Sequence, residues 1–340
     1  MTKEHRYALI FGLCVGALTL VTAHASPVQI KFPYQVSVNT LRGKSVAELG
    51  AKLKAATNGR YEVIPYPDGS LYSGSAAANA VQLGIVQMTN ESDSAFTGYS
   101  NLVNLVEVPF AWPGPKEFQK FTDGPSGNAI LQALATKGFA GLALMDEGPM
   151  IIATKSKLIK APQDLKGMKI RTSGHQVVAA ALKAMGASTA TISFAQTYSA
   201  LQQGVVDAVY TTFDAYTKAK MYEVAPNVTL FPAHGTYIWV ANKAWYDKQP
   251  KNVQEDIRKF SRELADEHFN EVWGALKDYV KAVKDHGGHY YEPNKQSVSA
   301  FRHTIAPVYA QLRRTYGAHV INTILAGKPL SLGDLTAAEH

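Results

Sequence analysis

The chain has 340 residues, 46% of them hydrophobic, one cysteine, and a formal net charge of +7 from 34 Lys and Arg against 27 Asp and Glu. One cysteine excludes an internal disulfide and a thiolate metal site. The basic excess is dispersed, with no block of like charge and no basic-aromatic ladder, which excludes the nucleic-acid-binding pattern, and the length exceeds one typical core, so two domains are expected. Lys3 and Arg6 precede an uncharged run over residues 7–21 that is short for a bilayer span, and Ala23-His24-Ala25 follows. This reads as a secretory signal peptide cleaved after Ala25. Cys14 lies inside it, and the preceding Leu13 argues against a lipidated cysteine. Loss of Lys3, Glu4 and Arg6 leaves a mature chain of net charge +6, free of thiols and exported to the periplasm.

In chain order, residues 29–32 read as a strand. Residues 45–58 read as a helix with Val46, Leu49, Leu53 and Ala56 on one face, Ser45 as cap and Gly59 as stop. Residues 61–64 form a second strand, 76–83 a helix closed by Gly84, and 85–88 a third strand. This βαβαβ spacing predicts a mainly parallel sheet. A Pro/Gly-rich loop over 109–115 precedes a helical stretch, 117–137. A second series begins with strand 150–153, continues with strand 168–171, helix 176–185 and a capping box at Ser193 and Gln196, and ends with strands 205–210 and 237–242. The longest helical stretch, 250–285, carries Val253, Ile257, Phe260, Leu264, Val272, Leu276 and Val280 on one stripe. As one helix it would run on the order of 50 Å, the width of two small domains. The fold class is therefore α/β, with two lobes bridged by this helix and a cleft between them for a small ligand.

The sequence carries no G-x-S-x-G elbow, no H-E-x-x-H pattern and no G-x-G-x-x-G fingerprint. Gly43-Lys44-Ser45 resembles the tail of a P-loop, but Val38 stands where its first glycine is required. His286 and His289 flank a glycine pair and read as solvated. No catalytic chemistry, cofactor or metal is indicated, and a binding protein is favoured. The residue that points to a ligand is Arg171. It ends an apolar strand, precedes Thr172-Ser173-Gly174 and then a helix start. Open α/β sheets hold ligands at the carboxyl ends of strands, and an arginine offers a planar fork of donors to a carboxylate.

An ordered set of segments carries a resemblance: Asp164-Leu165-Lys166-Gly167-Met168-Lys169-Ile170-Arg171, Ala184-Met185-Gly186-Ala187, residues 194–198, Ala200-Leu201-Gln202-Gln203-Gly204-Val205-Val206-Asp207 and Met221-Tyr222-Glu223-Val224. Weaker matches are residues 80–84, 108–110 and 242–245. Nearly all of the mature chain resembles the periplasmic substrate-binding proteins of TRAP (tripartite ATP-independent periplasmic) transporters, the DctP-type C4-dicarboxylate-binding family. The resemblance implies a two-lobed flytrap fold that closes on an organic acid and delivers it to the small and large subunits of an ion-gradient-driven membrane permease. It also implies that the ligand carboxylate is gripped by Arg171.

The chain departs from the family pattern where a second arginine is common, at Met150, where an asparagine is common, at Thr211, and where an acidic residue is common, at Ala76. The pocket so implied grips one carboxylate strongly and is otherwise more apolar, unless Arg42 or Lys44 supplies a second cation. Loop positions after strands suggest Tyr34, Tyr72, Ser73, Phe110, Trp112, Tyr210, Thr211, Phe213 and Tyr237 as further walls, beside Met150. The expected lobes are 26–148 plus 237–270 and 149–236 plus 271–340, with the long helix shared, in a monomer. Two rival functions are a module feeding a sensor kinase and an enzyme acting on an organic acid. The enzyme would need a general base near Arg171, for which Asp207, Asp214 and His175 are the candidates.

Overall fold

The computed structural model describes residues 26–336; the expected signal peptide lies outside them. Its strands are β1 (Val28–Pro33), β2 (Tyr61–Tyr66), β3 (Met88–Ser92), β4 (Phe139–Asp146), β5 (Met150–Thr154), β6 (Lys169–Thr172), β7 (Ser188–Thr191), β8 (Ala208–Thr212), β9 (Asn227–Leu230), β10 (Thr236–Asn242) and β11 (His289–Tyr291). They form a parallel β1-β2 pair, an antiparallel β3-β10-β4 sheet, and a six-stranded sheet of order β11-β9-β5-β8-β6-β7. Thr89 Oγ1 donates to Pro33 O at 2.7 Å, which holds the β1 pair beside β3. The expected mainly parallel arrangement is therefore mixed, because β5 runs antiparallel to both of its neighbours, β8 and β9. Among the described residues no helix is long and apolar enough to cross a membrane.

The chain passes from the first group of strands to the second through Glu147-Gly148-Pro149, between β4 and β5. It returns through residues 231–235, between β9 and β10. A third passage is the long helix, and here the structure differs from the single rod expected. The helix consists of Lys251–Gly274 and Leu276–Asp285, broken at Ala275. Gly274 has weak helix propensity, about 1 kcal/mol below alanine. The Ala275 amide turns back to Glu271 O and Trp273 O, and Trp273 Nε1 donates to Asp146 Oδ2 at 3.2 Å. The first piece packs on β4 and on the helix Leu41–Ala56; the second packs on β11 and on the helix Phe213–Lys218.

Other differences have local causes. The first helix starts at Leu41, not Ser45, because Thr40 caps it by accepting from Gly43 N. The helical stretch 117–137 is two helices, Pro115–Asp123 and Pro125–Ala135, split where Pro125 follows Gly124. The strands expected at 85–88 and 205–210 begin later, at Met88 and Ala208, since the turns at Gly84 (φ 74°) and Gly204 (φ 71°) extend onto exposed Ile85 and Val205. The C-terminal segment does not stay wholly with the six-stranded sheet, as the expected lobe assignment had it. Ser126 Oγ accepts from Leu330 N at 2.9 Å and donates to Leu330 O at 3.1 Å, tying that segment to the helix Pro125–Ala135.

Candidate functional site

Strand ends from both sheets converge on one small space. From the six-stranded sheet come Arg171 on β6, Thr211 and Thr212 at the end of β8, and Met150 at the start of β5, opposite Thr212. β6 and β8 run parallel, so their carboxyl ends lie at one edge. From the other strands come Gln35 and Val36 just after β1, Ser92 at the end of β3, and Tyr237, which pairs with Ser92 across β10. Ser173, His175, Phe194, Ala215 and Glu147, the last in the β4–β5 passage, complete the lining. The free space is about 20 Å³, roughly the room of one water, so anything larger fits there only if the two sides part.

Arg171 is 1% exposed, and the one hydrogen bond of its side chain among the described residues runs from Nε to Ile192 O at 2.8 Å. Its Cζ lies 5.9 Å from the centre of the Phe194 ring. Burial lowers its pKa to about 10, and the Glu147 charge offsets part of that. The guanidinium is thus oriented through one nitrogen and a ring, with its other two nitrogens turned to neither.

Behind it lies a buried cluster of Asp93, Glu107, Glu147 and His175. His175 Nε2 is 3.3 Å from Asp93 Oδ1 and 3.3 Å from Ser92 Oγ. Burial alone would pull His175 down, but the Asp93 hydrogen bond and the Glu107, Asp93 and Glu147 charges reverse this and lift it to about 9. Glu107 accepts from Val177 N at 3.1 Å; burial and the Asp93 charge raise it to about 8. The same two causes raise Glu147 to about 7. Among the described residues, Asp93, Glu147 and His175 are the one cluster whose ligating atoms lie within 4.8 Å of one another. Asp93 is already satisfied by Ser94 N, Ser92 Oγ and Thr236 N, so the geometry reads as an ion pair, His175 with Asp93, more than as a metal nest.

The other expected walls fall in two groups. Tyr34 is 1% exposed and packs edge-on to Phe32 in the core beneath β1. Phe213 stacks among Tyr216, Tyr279 and Tyr290. Tyr210 is buried edge-on to His175, its hydroxyl without a hydrogen-bond partner. Tyr72 packs against the core and Ser73 lies against Gly69. None of these borders the space at Arg171. Phe110 and Trp112 line a different and larger groove of about 980 Å³, with Phe231, His234 and Trp273. Met150 borders both. Size does not make the groove the anion site: Arg171 does not reach it, and two of its cations are engaged, Arg302 with Leu325 O and Arg313 with Asn322. The supposed second cation is also accounted for. Arg42 donates through Nε to Asn90 Oδ1 at 3.1 Å, pairs with Glu91 at 3.0 Å, and lies 4.3 Å over the Tyr237 ring. Neither it nor Lys44 borders the space.

Sequence reasoning missed Glu147. It sits between two strands of which only the second was expected, so nothing marked the passage as a strand end.

Residues 32–315 match the family model described as bacterial extracellular solute-binding protein, family 7 (DctP). The chain is 30% identical over 327 residues to the C4-dicarboxylate-binding periplasmic protein DctP of Rhodobacter capsulatus, covering 93% of this chain and 97% of that one. A TRAP periplasmic solute-binding protein from Sulfurospirillum deleyianum, solved with bound succinate, superposes with a TM-score of 0.82 at 27% identity over 88% of this chain and 99% of that one. The sugar acid binding protein DctPAm from Advenella mimigardefordensis, in complex with galactonate, shares the fold at a TM-score of 0.84, 22% identity, and coverage of 89% and 98%.

Proposed function

Because the chain belongs to family 7 of the bacterial extracellular solute-binding proteins, the DctP family, we propose that it captures an organic acid between its two lobes and hands it to a TRAP membrane permease. The observation that carries this reading is Arg171. It is a buried guanidinium at the carboxyl end of a strand, held by one nitrogen, with the rest of its fork at the inter-lobe space. In such a place a bidentate carboxylate pair is directional and strong. Relatives named as periplasmic binding proteins support a periplasmic location, reached by cleavage after Ala25. We also infer binding without turnover and delivery to the small and large subunits of the permease. The two sides close on the acid by rotation at the three chain passages.

A thermal-shift screen of residues 26–340 tests this against C4-dicarboxylates, 2-oxo acids, sugar acids and aromatic monocarboxylates. A ligand at a hundred times its dissociation constant stabilises the fold by about 2.7 kcal/mol. A shift that Arg171→Ala abolishes is the expected result. No shift with any acid, or one that Arg171→Ala leaves intact, overturns the reading.

A further inference from the structure

We propose that the acid taken by this chain is a compact zwitterion: one carboxylate for Arg171 and one protonated nitrogen for Glu147. This rests on the organic-acid reading above and narrows it. Arg171 and Glu147 line the same small space and feel each other's charge, yet they are not an ion pair of this structure. Glu147 is 4% exposed and its Oε1 has no hydrogen-bond partner. A buried carboxylate oxygen without a donor is costly; Glu91 and Glu107 keep one too, but of the three only Glu147 lines the space, where a ligand can complete it.

The remaining charges near the space are already matched. His175 faces Asp93 and Ser92, and Arg42 faces Glu91 and Asn90. Among the charged groups that line the space, this leaves the Arg171 guanidinium with a single side-chain hydrogen bond and the Glu147 Oε1 with none. A dicarboxylate would meet Arg171 with one end and present its second charge to a wall where Met150 is apolar and Glu147 acidic. Like charges brought together in a desolvated site select strongly against that ligand. A neutral hydroxyl would satisfy Oε1 but gain less than a charge-assisted hydrogen bond.

The test uses matched probes of one carbon skeleton, titrated calorimetrically into the mature chain. Set one is 4-aminobutyrate, 4-hydroxybutyrate and succinate; set two is proline, tetrahydrofuran-2-carboxylate and cyclopentanecarboxylate. The expected result is that a zwitterion binds at least about tenfold tighter than its matched acids, a difference typical of one charge-assisted contact. Glu147→Gln, checked for fold by circular dichroism, should erase that preference by weakening zwitterion binding toward that of the matched acids that lack the nitrogen, and a variant that keeps the preference overturns the proposal. If succinate or a hydroxy acid binds as tightly as the zwitterions in an Arg171-dependent manner, the zwitterion proposal is wrong and the organic-acid reading stands. If an acid binds only with added calcium or sodium and is released by a chelator or by salt exchange, the cation at Glu147 is a metal and the proposal is again wrong. If no probe of either set binds the wild-type chain, the zwitterion proposal fails, and the wider panel above then decides whether organic-acid capture fails with it.

Discussion

Arg171 and Arg42 show how two buried guanidiniums in one molecule are put to different uses. Arg42 is spent on the fold: Glu91, Asn90 and Tyr237 surround it, and burial raises Glu91 while Arg42 opposes the rise. Removing one member strands the other's charge, so Arg42→Met should cost about 3–5 kcal/mol. The double variant Arg42→Met, Glu91→Leu should recover much of that, since an apolar pair of similar volume replaces a buried ion pair at little loss. Urea unfolding of the two single variants and the double checks the cycle, and a double variant as unstable as the sum of the singles would refute it. The Arg171 side chain by contrast has one hydrogen bond among the described residues. Arg171→Ala should weaken acid binding on the order of a hundredfold. Arg171→Lys should bind nearly as poorly, since a lysine offers no planar fork. Calorimetry reads both, and a lysine variant with full affinity would contradict the bidentate grip. The strand-end position of Arg171 was legible in the sequence because a basic residue that closes an apolar strand before a Ser-Gly loop is a local signal. The position of Glu147 at the same space was not, for it depends on a meeting of strands far apart in the chain. Tyr34 and Phe213 looked the same as Tyr237 in sequence; which ring faces the core is decided by strand register.

At the scale of elements, the long strands and helices were read from periodicity, with ends displaced by a few residues. The missed strands are instructive. β7 is Ser188–Thr191, polar and at a sheet edge, and β9 and β11 have four and three residues. None is long enough to show a period of two, and each is held by its neighbour. β4 is long but follows Gly138 without a helix between it and β5, so it breaks the βαβ rhythm. The β4–β5 passage is also where backbone conformation is most constrained. Gly148 has φ 82°, and a Cβ there would overlap the side chain of Val272 on the long helix. Left-handed backbone for an alanine costs about 1–2 kcal/mol, and overpacking adds about 1–3 kcal/mol. Gly148→Ala should therefore destabilise the chain by about 2–5 kcal/mol in a denaturant titration, and a variant of wild-type stability would show that the passage is free to rearrange.

For the whole molecule, the buried cluster couples folding to pH. Folded His175 is raised to about 9, Glu107 to about 8 and Glu147 to about 7. Between its unfolded and folded values each holds a proton in the folded chain that the unfolded chain has released, and Glu147 is an anion above about pH 7. Their stabilisation is complete below the unfolded values and is lost as pH rises through the folded ones. His268, buried and lowered to about 4, acts in the opposite sense, but its effect is complete by about pH 6.5. The thermal midpoint should therefore fall steadily from about pH 6.5 to 9.5, and a midpoint that is flat or rising over that range would show that the cluster is not protonated as described. The two-lobed plan was legible because repeated strand-helix units and one long helix dominate the pattern. The mixed strand directions were not, since they follow from how the chain crosses between sheets.

The break at Ala275 has a mechanical meaning. Two bodies joined by two neighbouring strips of chain, 147–149 and 231–235, resemble a door on a pair of butts, free to swing about one line. An unbroken helix across the gap would be a brace that locks the door. If the two sides swing as proposed, the joint at Gly274–Ala275 turns the brace into a stay, the place where the long helix would fold as the door moves.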